Sequence, residues 1–214
     1  MQALFVYDHI FYEYENQYYS SGAFTPKVWD RYLNHFDTIT VIARGRKLKH
    51  NKNSFVLSSK NNVLFDLLYD IRGGMDYILR SGLINKHIEN IILNYDHIII
   101  RMPSMIGNIT GALCRKYNIP YTVEVVGCVW DSNWNYGGIF PKLIAPINFL
   151  KTKKIIGCSS SAIYVTKYFL QKRYPVNVFN SYASNVEINP VKPDVLTERL
   201  NKLKSIKKIK IGIG

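Results

Sequence analysis

The chain has 214 residues, of which 28 are Lys or Arg and 15 Asp or Glu, giving a formal net charge of +13. With 47% hydrophobic and 20% charged residues, the composition excludes a disordered or collagen-like chain, and no apolar run reaches the ~18–20 residues needed to cross a bilayer. Cys114, Cys128 and Cys158 are too few and too scattered for a disulfide framework or a zinc site, which points to a reducing cytoplasm.

Ala3–Tyr7 (ALFVY) is a short apolar run suited to a buried parallel strand. No basic leader precedes it, so secretion is not expected. A polar, aromatic loop is expected from His9 to Thr25, and Pro26 opens a helix carrying Val28, Trp29, Tyr32 and Leu33 at helical spacing. Thr38–Ala43 reads as the second strand and Ser54–Leu57 as the third. Met75 to Asn94 is helical, weakened at Gly82. His97–Arg101 and Tyr121–Val126 are strands, separated by a helix over Ile106–Tyr117. Phe140–Gly157 is a long amphipathic helix. Ala162–Val165 and Val176–Phe179 are strands around a helix at Lys167–Arg173, and Leu196–Ser205 is a last helix.

This alternation predicts an α/β fold: a Rossmann-like, doubly wound parallel sheet with helices on both faces. Ligands of such sheets bind at the carboxyl edge, so the loops after the strands are the places to search. The terminal KIKIGIG resembles the start of a further strand. The expected organisation is a domain at 1–190, a linker and helix at 191–207, and the first strand of another domain at 208–214.

Several chemistries are absent from the sequence. There is no GxGxxG or GxxxxGK[ST] phosphate loop, no HExxH and no GxSxG. No metal site or cofactor is therefore expected. The charge calls for an anionic partner. Arg44, Arg46, Lys47, Lys49 and Lys52 form one basic cluster. Lys151, Lys153 and Lys154 continue to Lys167, Lys172 and Arg173 in a second, and the segment from Lys202 to Lys210 is a third. None is a nucleic-acid module. Ile139 to Lys154 joins apolar residues to a basic end. It suits either docking on an anionic membrane surface or a core helix whose basic C-terminus matches its dipole.

Candidate ligand residues follow from the strand ends. Tyr19, Ser21 and Gly22 lie in the first loop, where backbone amides near a helix start suit a diphosphate. Phe11, Tyr12, Tyr14, Tyr18 and Tyr19 could form a sugar or lipid platform there, or simply cover the sheet edge. Arg101 ends a strand and can hold a phosphate or carboxylate, or pair with a neighbouring acid. Glu124 sits in an apolar strand, where an ionisable group needs a partner or a purpose; Arg101 is one such partner. Gly127, Trp130 and Asp131 form the next turn.

The segments SSGAFTPKVWDRYL before TITVIARG, IIIRMPSMIG, PYTVEVVGCVWDS, and AIYVTKYFLQKRYP followed by SYASNVEI resemble the N-terminal domain of a bacterial family-4 glycosyltransferase of GT-B architecture, of the polysaccharide-biosynthesis kind. The likeness spans most of residues 3–190. It implies an enzyme moving a sugar from a nucleotide-sugar to a saccharide or polyprenyl-linked acceptor. The implied enzyme is cytoplasmic, or peripheral on the inner face of the plasma membrane. The donor is bound mainly by a second domain that this chain does not carry, so the chain alone is expected to be inactive. Arg101, Glu124 and Asp131 would be the catalytic and orienting groups. Tyr19, Ser21, Gly22, Gly127, Trp130, Tyr164, Thr166, Ser184 and Asn185 would contact substrate; Thr166 and Ser184 could equally serve turns and caps. Cys128 stands where the family pattern has an acid, leaving Asp131 as the nearest carboxylate. The alternative is a non-catalytic acceptor- or membrane-binding subunit paired with a separate donor-binding chain.

Overall fold

The structure, a computed structural model, describes residues 1–22, 24–50, 54–69, 71, 74–135, 137–184 and 194–205. Its chain falls into two units, Met1–Ala183 and Ser184–Gly214. Of the second, the helix Asp194–Ser205 is described. The strand expected at 208–214 lies outside the described residues.

In the first unit, apolar and β-branched runs form the strands β1 (Gln2–Tyr14), β3 (Thr38–Lys47), β5 (Val63–Leu68), β6 (His97–Met102), β7 (Thr122–Val125), β8 (Ser161–Tyr164) and β9 (Asn180–Tyr182). They pair in the order β5-β3-β1-β6-β7-β8-β9, every pair parallel. The chain thus starts at mid-sheet, builds outward one way, then returns and builds the other way. That is the doubly wound Rossmann-like order, whose direction reverses between β1 and β6. Two short antiparallel strands, β2 (Gln17–Ser20) and β4 (Val56–Leu57), extend the carboxyl end of β1.

Alternation along the strands feeds two cores. Leu4, Val6, Ile42, Ile98 and Ile100 point to the face covered by α3 (Ser81–Ile91), α4 (Met105–Lys116) and α6 (Phe140–Gly157). Ala3, Phe5, Ile39, Val41 and Ile99 point to the face covered by α1 (Pro26–Leu33). There Trp29, fully buried, sits among Phe5, Phe24 and Tyr32, with ring centroids 5.2–6.2 Å apart for neighbouring pairs that include 5.3 Å to Phe24. The remaining helices are α2 (Gly74–Leu79), α5 (Val129–Asn135), α7 (Phe169–Arg173) and α8, the helix of the second unit.

Close packing of α4 on α6 depends on Gly111. A Cβ there would lie 2.4 Å from Ile155 Cγ2, against a buried side chain. Gly111→Ala gains about 1 kcal/mol of helix propensity but must force the helices apart, at about 3 kcal/mol. The expected net loss of about 2 kcal/mol lowers Tm by roughly 5 °C for a chain of this size, which calorimetry would measure.

Four sequence expectations are corrected, the first being the strand expected at Val176–Phe179, which is instead β9 at Asn180–Tyr182. The loop placed at His9–Thr25 is mostly a hairpin: β1 runs on to Tyr14, turns through Glu15 and Asn16 at positive φ, and returns as β2. Three of its aromatics are packing groups, with Phe11 fully buried, Tyr12 stacked on Phe55 at 4.1 Å and Tyr18 on Phe65 at 4.4 Å. The third core strand is β5, not Ser54–Leu57, which contributes only the edge strand β4. The turn after β7 closes into α5, whose Trp130 and Trp134 stack one helical turn apart.

Candidate functional site

Parallel pairing of β1 with β6 ends at Val6 opposite Ile100. Pairing with β3 then jumps from Val6–Ile42 to Ile10–Arg44, so Tyr7, Asp8 and His9 face the single residue Ala43. This bulge lies at the sheet's reversal point, where bulges commonly re-aim side chains toward a site.

Asp8 is turned onto the N-terminus of α4. Its carboxylate accepts from the Met105 amide and the Tyr77 hydroxyl, and from the Ile106 amide at 3.4 Å. A carboxylate among free helix-start amides is favoured by both hydrogen bonding and the dipole. Ser104 supplies the cap, accepting from the Gly107 amide at 2.8 Å. Arg44 Nε donates to the Asp8 carbonyl at 2.8 Å, and Arg46 donates to the Gly45 and Ile71 carbonyls at 2.9 and 2.7 Å. The first basic cluster therefore begins as a braced strand end. Burial, then the Asp8 charge, pushes the Tyr77 phenol well above its ordinary value, so Tyr77 stays a hydrogen-bond donor.

His9 shares this crevice with Asp8, Arg44, Tyr12, Ser21 and Pro103, around a cleft of about 350 Å³. Burial, reinforced by Arg44 and Arg101, lowers its pKa to about 4. His9 is thus neutral at pH 7, with Nε2 2.8 Å from the Ser20 hydroxyl. Because the folded-state pKa lies below the ordinary 6.5, the unfolded chain binds the proton first as pH falls. Stability attributable to His9 is complete above about 6.5 and is lost toward about 4. An NMR titration should find the His9 ring titrating below pH 5, and His9→Gln should flatten the pH dependence of unfolding in that window.

Deeper along the same edge lies a larger cavity, about 580 Å³, between α4, α5 and α6. Asp8, Pro103 and Ser104 border it, Met105, Phe140 and Ile144 give it an apolar wall, and Asn108 and Asn133 line it too.

The sequence-picked residues divide. Arg101 and Glu124 are brought together, Nη1 3.0 Å from Oε2, with side chains 11% and 16% exposed. The Tyr32 hydroxyl donates to the same carboxylate at 2.8 Å, and Arg101 lies 5.5 Å over the Tyr7 ring. Asp131 pairs with Arg173 at 3.5 Å. Trp130 packs edge-on to Phe149. Gly127 is half-buried beside Pro103. Ser21 borders the His9 crevice, and Gly22 follows at φ +115°, but the amides expected to start a helix are not theirs, since α1 begins at Pro26. Tyr19 is spent on the hairpin, its hydroxyl bonded to Gln17 at 2.9 Å.

Tyr164 is fully buried and donates to the Tyr174 carbonyl at 2.6 Å, so it supports the strand ends and does not line the crevice. Thr166 accepts from the Leu170 amide at 2.9 Å as a turn cap. Cys128 is buried, 3.7 Å from the Tyr174 hydroxyl. Ser184 belongs to the second unit, and Asn185 lies outside the described residues. Sequence reasoning missed Asp8, His9, Tyr77, Asn108 and Asn133.

The Rickettsia bellii UDP-N-acetylglucosamine 2-epimerase superposes with a TM-score of 0.50 at 12% identity, over 97% of this chain and 49% of that one. The chain shares the fold of half that enzyme. A Siraitia grosvenorii ugt transferase solved in complex with UDP superposes at 0.48 and 8% identity, over 94% and 54% of the two chains. By sequence, Protein CapJ of Staphylococcus aureus is 35% identical over 217 residues, covering 100% of this chain and 52% of CapJ. The chain thus spans about half the length of this curated relative. No protein-family model matches it. Among the described residues no group of His, Cys, Asp and Glu could hold a metal, and no helix is long and apolar enough to cross a membrane.

Proposed function

We propose that this chain is the acceptor-holding, N-terminal half of a family-4, GT-B sugar transferase that builds surface polysaccharide. The observation that carries this reading is the crevice at the sheet's reversal point, where a bulge sets Asp8 and His9 beside Arg44 and an apolar-walled cavity. The similarity to CapJ, of which the chain spans about half, fits a protein whose donor-binding half lies elsewhere. Residues 1–190 would form the acceptor domain and 208–214 would begin the next.

Holding the acceptor hydroxyl next to the donor's anomeric carbon supplies proximity. Arg44 beside the crevice attracts an acceptor's phosphate or uronate. Arg101 and Glu124, locked to each other, act as positioning residues for the wall beneath Tyr7. Ser21 borders the crevice, and Gly22, Gly127, Trp130, Asp131, Ser184 and Asn185 are proposed as further substrate contacts.

The acceptor is proposed to be polyprenyl-linked and taken from an anionic leaflet. Helix α6 is apolar on two faces: Ala145, Ile155 and Ile156 enter the core, while Phe140, Leu143, Ile147 and Leu150 are exposed, as is Trp134 of α5. Lys142, Lys151, Lys153 and Lys154 flank that outer stripe and are exposed. Such a face suits shallow insertion with cationic support.

The test is titration of the chain with UDP- and GDP-sugars and, separately, with anionic vesicles carrying a polyprenyl phosphate. Vesicle binding that weakens with salt, without nucleotide-sugar binding, is expected. Tight nucleotide-sugar binding without lipid would overturn the reading. Leu143→Asp with Ile147→Asp should reduce vesicle partitioning by at least tenfold in cosedimentation, since each insertion of an apolar side chain is replaced by a charge.

A further inference from the structure

Helices α4 and α6 lie side by side and run the same way. Asn108 Nδ2 donates to the Thr152 hydroxyl at 3.4 Å, and Gly111 packs on Ile155, so each residue of α4 is level with the residue 44 further along the chain. The start of α4 at Met105 is thus level with Phe149. Residues 140–148 of α6 project past it, beyond the carboxyl edge of the sheet, by roughly 13 Å at the usual helical rise. The cavity of about 580 Å³ follows this overhang. Asp8, Ser104 and Lys151 stand at its base, and Phe140, Ile144 and Ile147, with Met75 of α2, give it an apolar wall. Phe140, Ile147 and Met75 line the cavity yet are 66%, 56% and 61% exposed, so it is open along the overhang. Ile147 also belongs to the exposed stripe of α6, one turn from Leu143 and from Leu150. The cavity and that stripe therefore share an edge.

We infer that this cavity takes the first isoprene units of the lipid-linked acceptor, the phosphate next to them pairing with Lys151 at its base. The inference rests on the acceptor reading above and assigns the lipid its place. The Asp8 carboxylate is already engaged by the Met105 amide and the Tyr77 hydroxyl. Lys151 is exposed and makes no ion pair among the described residues. An apolar slot with a cation at one end matches an amphiphile with a hydrocarbon chain and an anionic head, and few polar groups suffice to fix the orientation of such a ligand. With the phosphate at the base, the attached sugar falls toward Asp8 and Pro103, which also border the His9 crevice. The rest of the chain leaves past Ile147 onto the outer stripe of α6, the face proposed to meet the leaflet. The lipid would thus pass from bilayer to cavity without exposing its hydrocarbon to water.

The test titrates the chain by calorimetry with n-alkyl phosphates from butyl to dodecyl, each below its critical micelle concentration, and with octanol. Affinity should rise roughly fourfold per methylene and level off once the alkyl chain fills the cavity. Lys151→Met should weaken octyl phosphate at least tenfold and leave octanol unchanged. Ser132 of α5 lines the cavity but is exposed, so Ser132→Trp should fold like the parent and shorten the chain length at which affinity levels off. Ile144→Trp should do the same from the α6 side. A rise with no levelling, unmoved by either tryptophan, would place the alkyl chains on the outer stripe and overturn the inference. No binding of alkyl phosphates by a protein that still sediments with anionic vesicles would overturn it and leave the acceptor reading standing. Absence of binding to both alkyl phosphates and vesicles would overturn both.

Discussion

Glu124→Ala is expected to destabilise the protein by about 3 kcal/mol, because it strands a cation that the fold has already dehydrated. Arg101 is 11% exposed, and Glu124 is the carboxylate it meets, at 3.0 Å. The rings of Tyr7 and Phe24, 5.5 and 5.6 Å away, offer only weak compensation. Tyr32 would also lose the acceptor of its hydroxyl. Burial, the largest cause that holds the Tyr32 phenol far above its ordinary pKa, persists in the variant and opposes its ionising. Urea unfolding would measure the loss. Removing both charges, as Arg101→Met with Glu124→Leu, should recover most of it, since a buried pair is often close to neutral against an apolar replacement. A loss below about 1 kcal/mol for Glu124→Ala would show a pair screened like a surface one.

Trp29→Ala is expected to cost about 3–5 kcal/mol, the range for emptying an aromatic site in a core. Trp29 is fully buried, its ring 5.7 Å from Phe5, 5.3 Å from Phe24 and 6.0 Å from Phe65. These belong to β1, the link into α1, and β5, so the loss would be felt on each. Its Nε1 also donates to the Ser58 carbonyl at 2.9 Å, tying α1 to the segment after β4. Against a typical total stability of about 5–15 kcal/mol, a loss of that size takes a large share. Trp29→Phe keeps most of the apolar area and should cost about 1–3 kcal/mol, the price of an unmatched buried carbonyl. Denaturant midpoints at unchanged m would report both.

The core of the fold was legible because parallel strands buried on both faces are written as apolar runs: Ala3–Tyr7, Thr38–Ala43 and His97–Arg101 all lie within observed strands. Phe140–Gly157 is found with the bounds expected of it. The helical stretch breaks at Arg80, between α2 and α3, while Gly82, where the weakness was expected, lies inside α3. What escaped depends on long-range pairing. The polar, aromatic text of Glu13 to Ser20 reads as a loop until Tyr12 is seen opposite Tyr19. Asn61 and Asn62, the latter at positive φ, were a turn signal that could have located β5. The Arg101–Glu124 contact was foreseeable as one alternative, because adjacent parallel strands place such residues in register. Asp8 was not, because nothing local tells of a bulge. Asn108 and Asn133, distant in sequence, come to line one cavity only when α4 and α5 are set around it.

The bulge in β1 carries two extra residues, an even number. Side chains alternate with a period of two, so the phase of the pleat survives the insertion: Phe5 before it and Phe11 after it enter the same core. Deleting one residue of Tyr7-Asp8-His9 would turn Phe11 inside out and disrupt the hairpin. Deleting two would restore unbroken pairing with every core residue in place, and would take away the acid at the helix start or the imidazole beside it. Two residues of Tyr7-Asp8-His9 are thus removable from the first strand, and the sheet's hydrophobic grammar is indifferent to whether they are present.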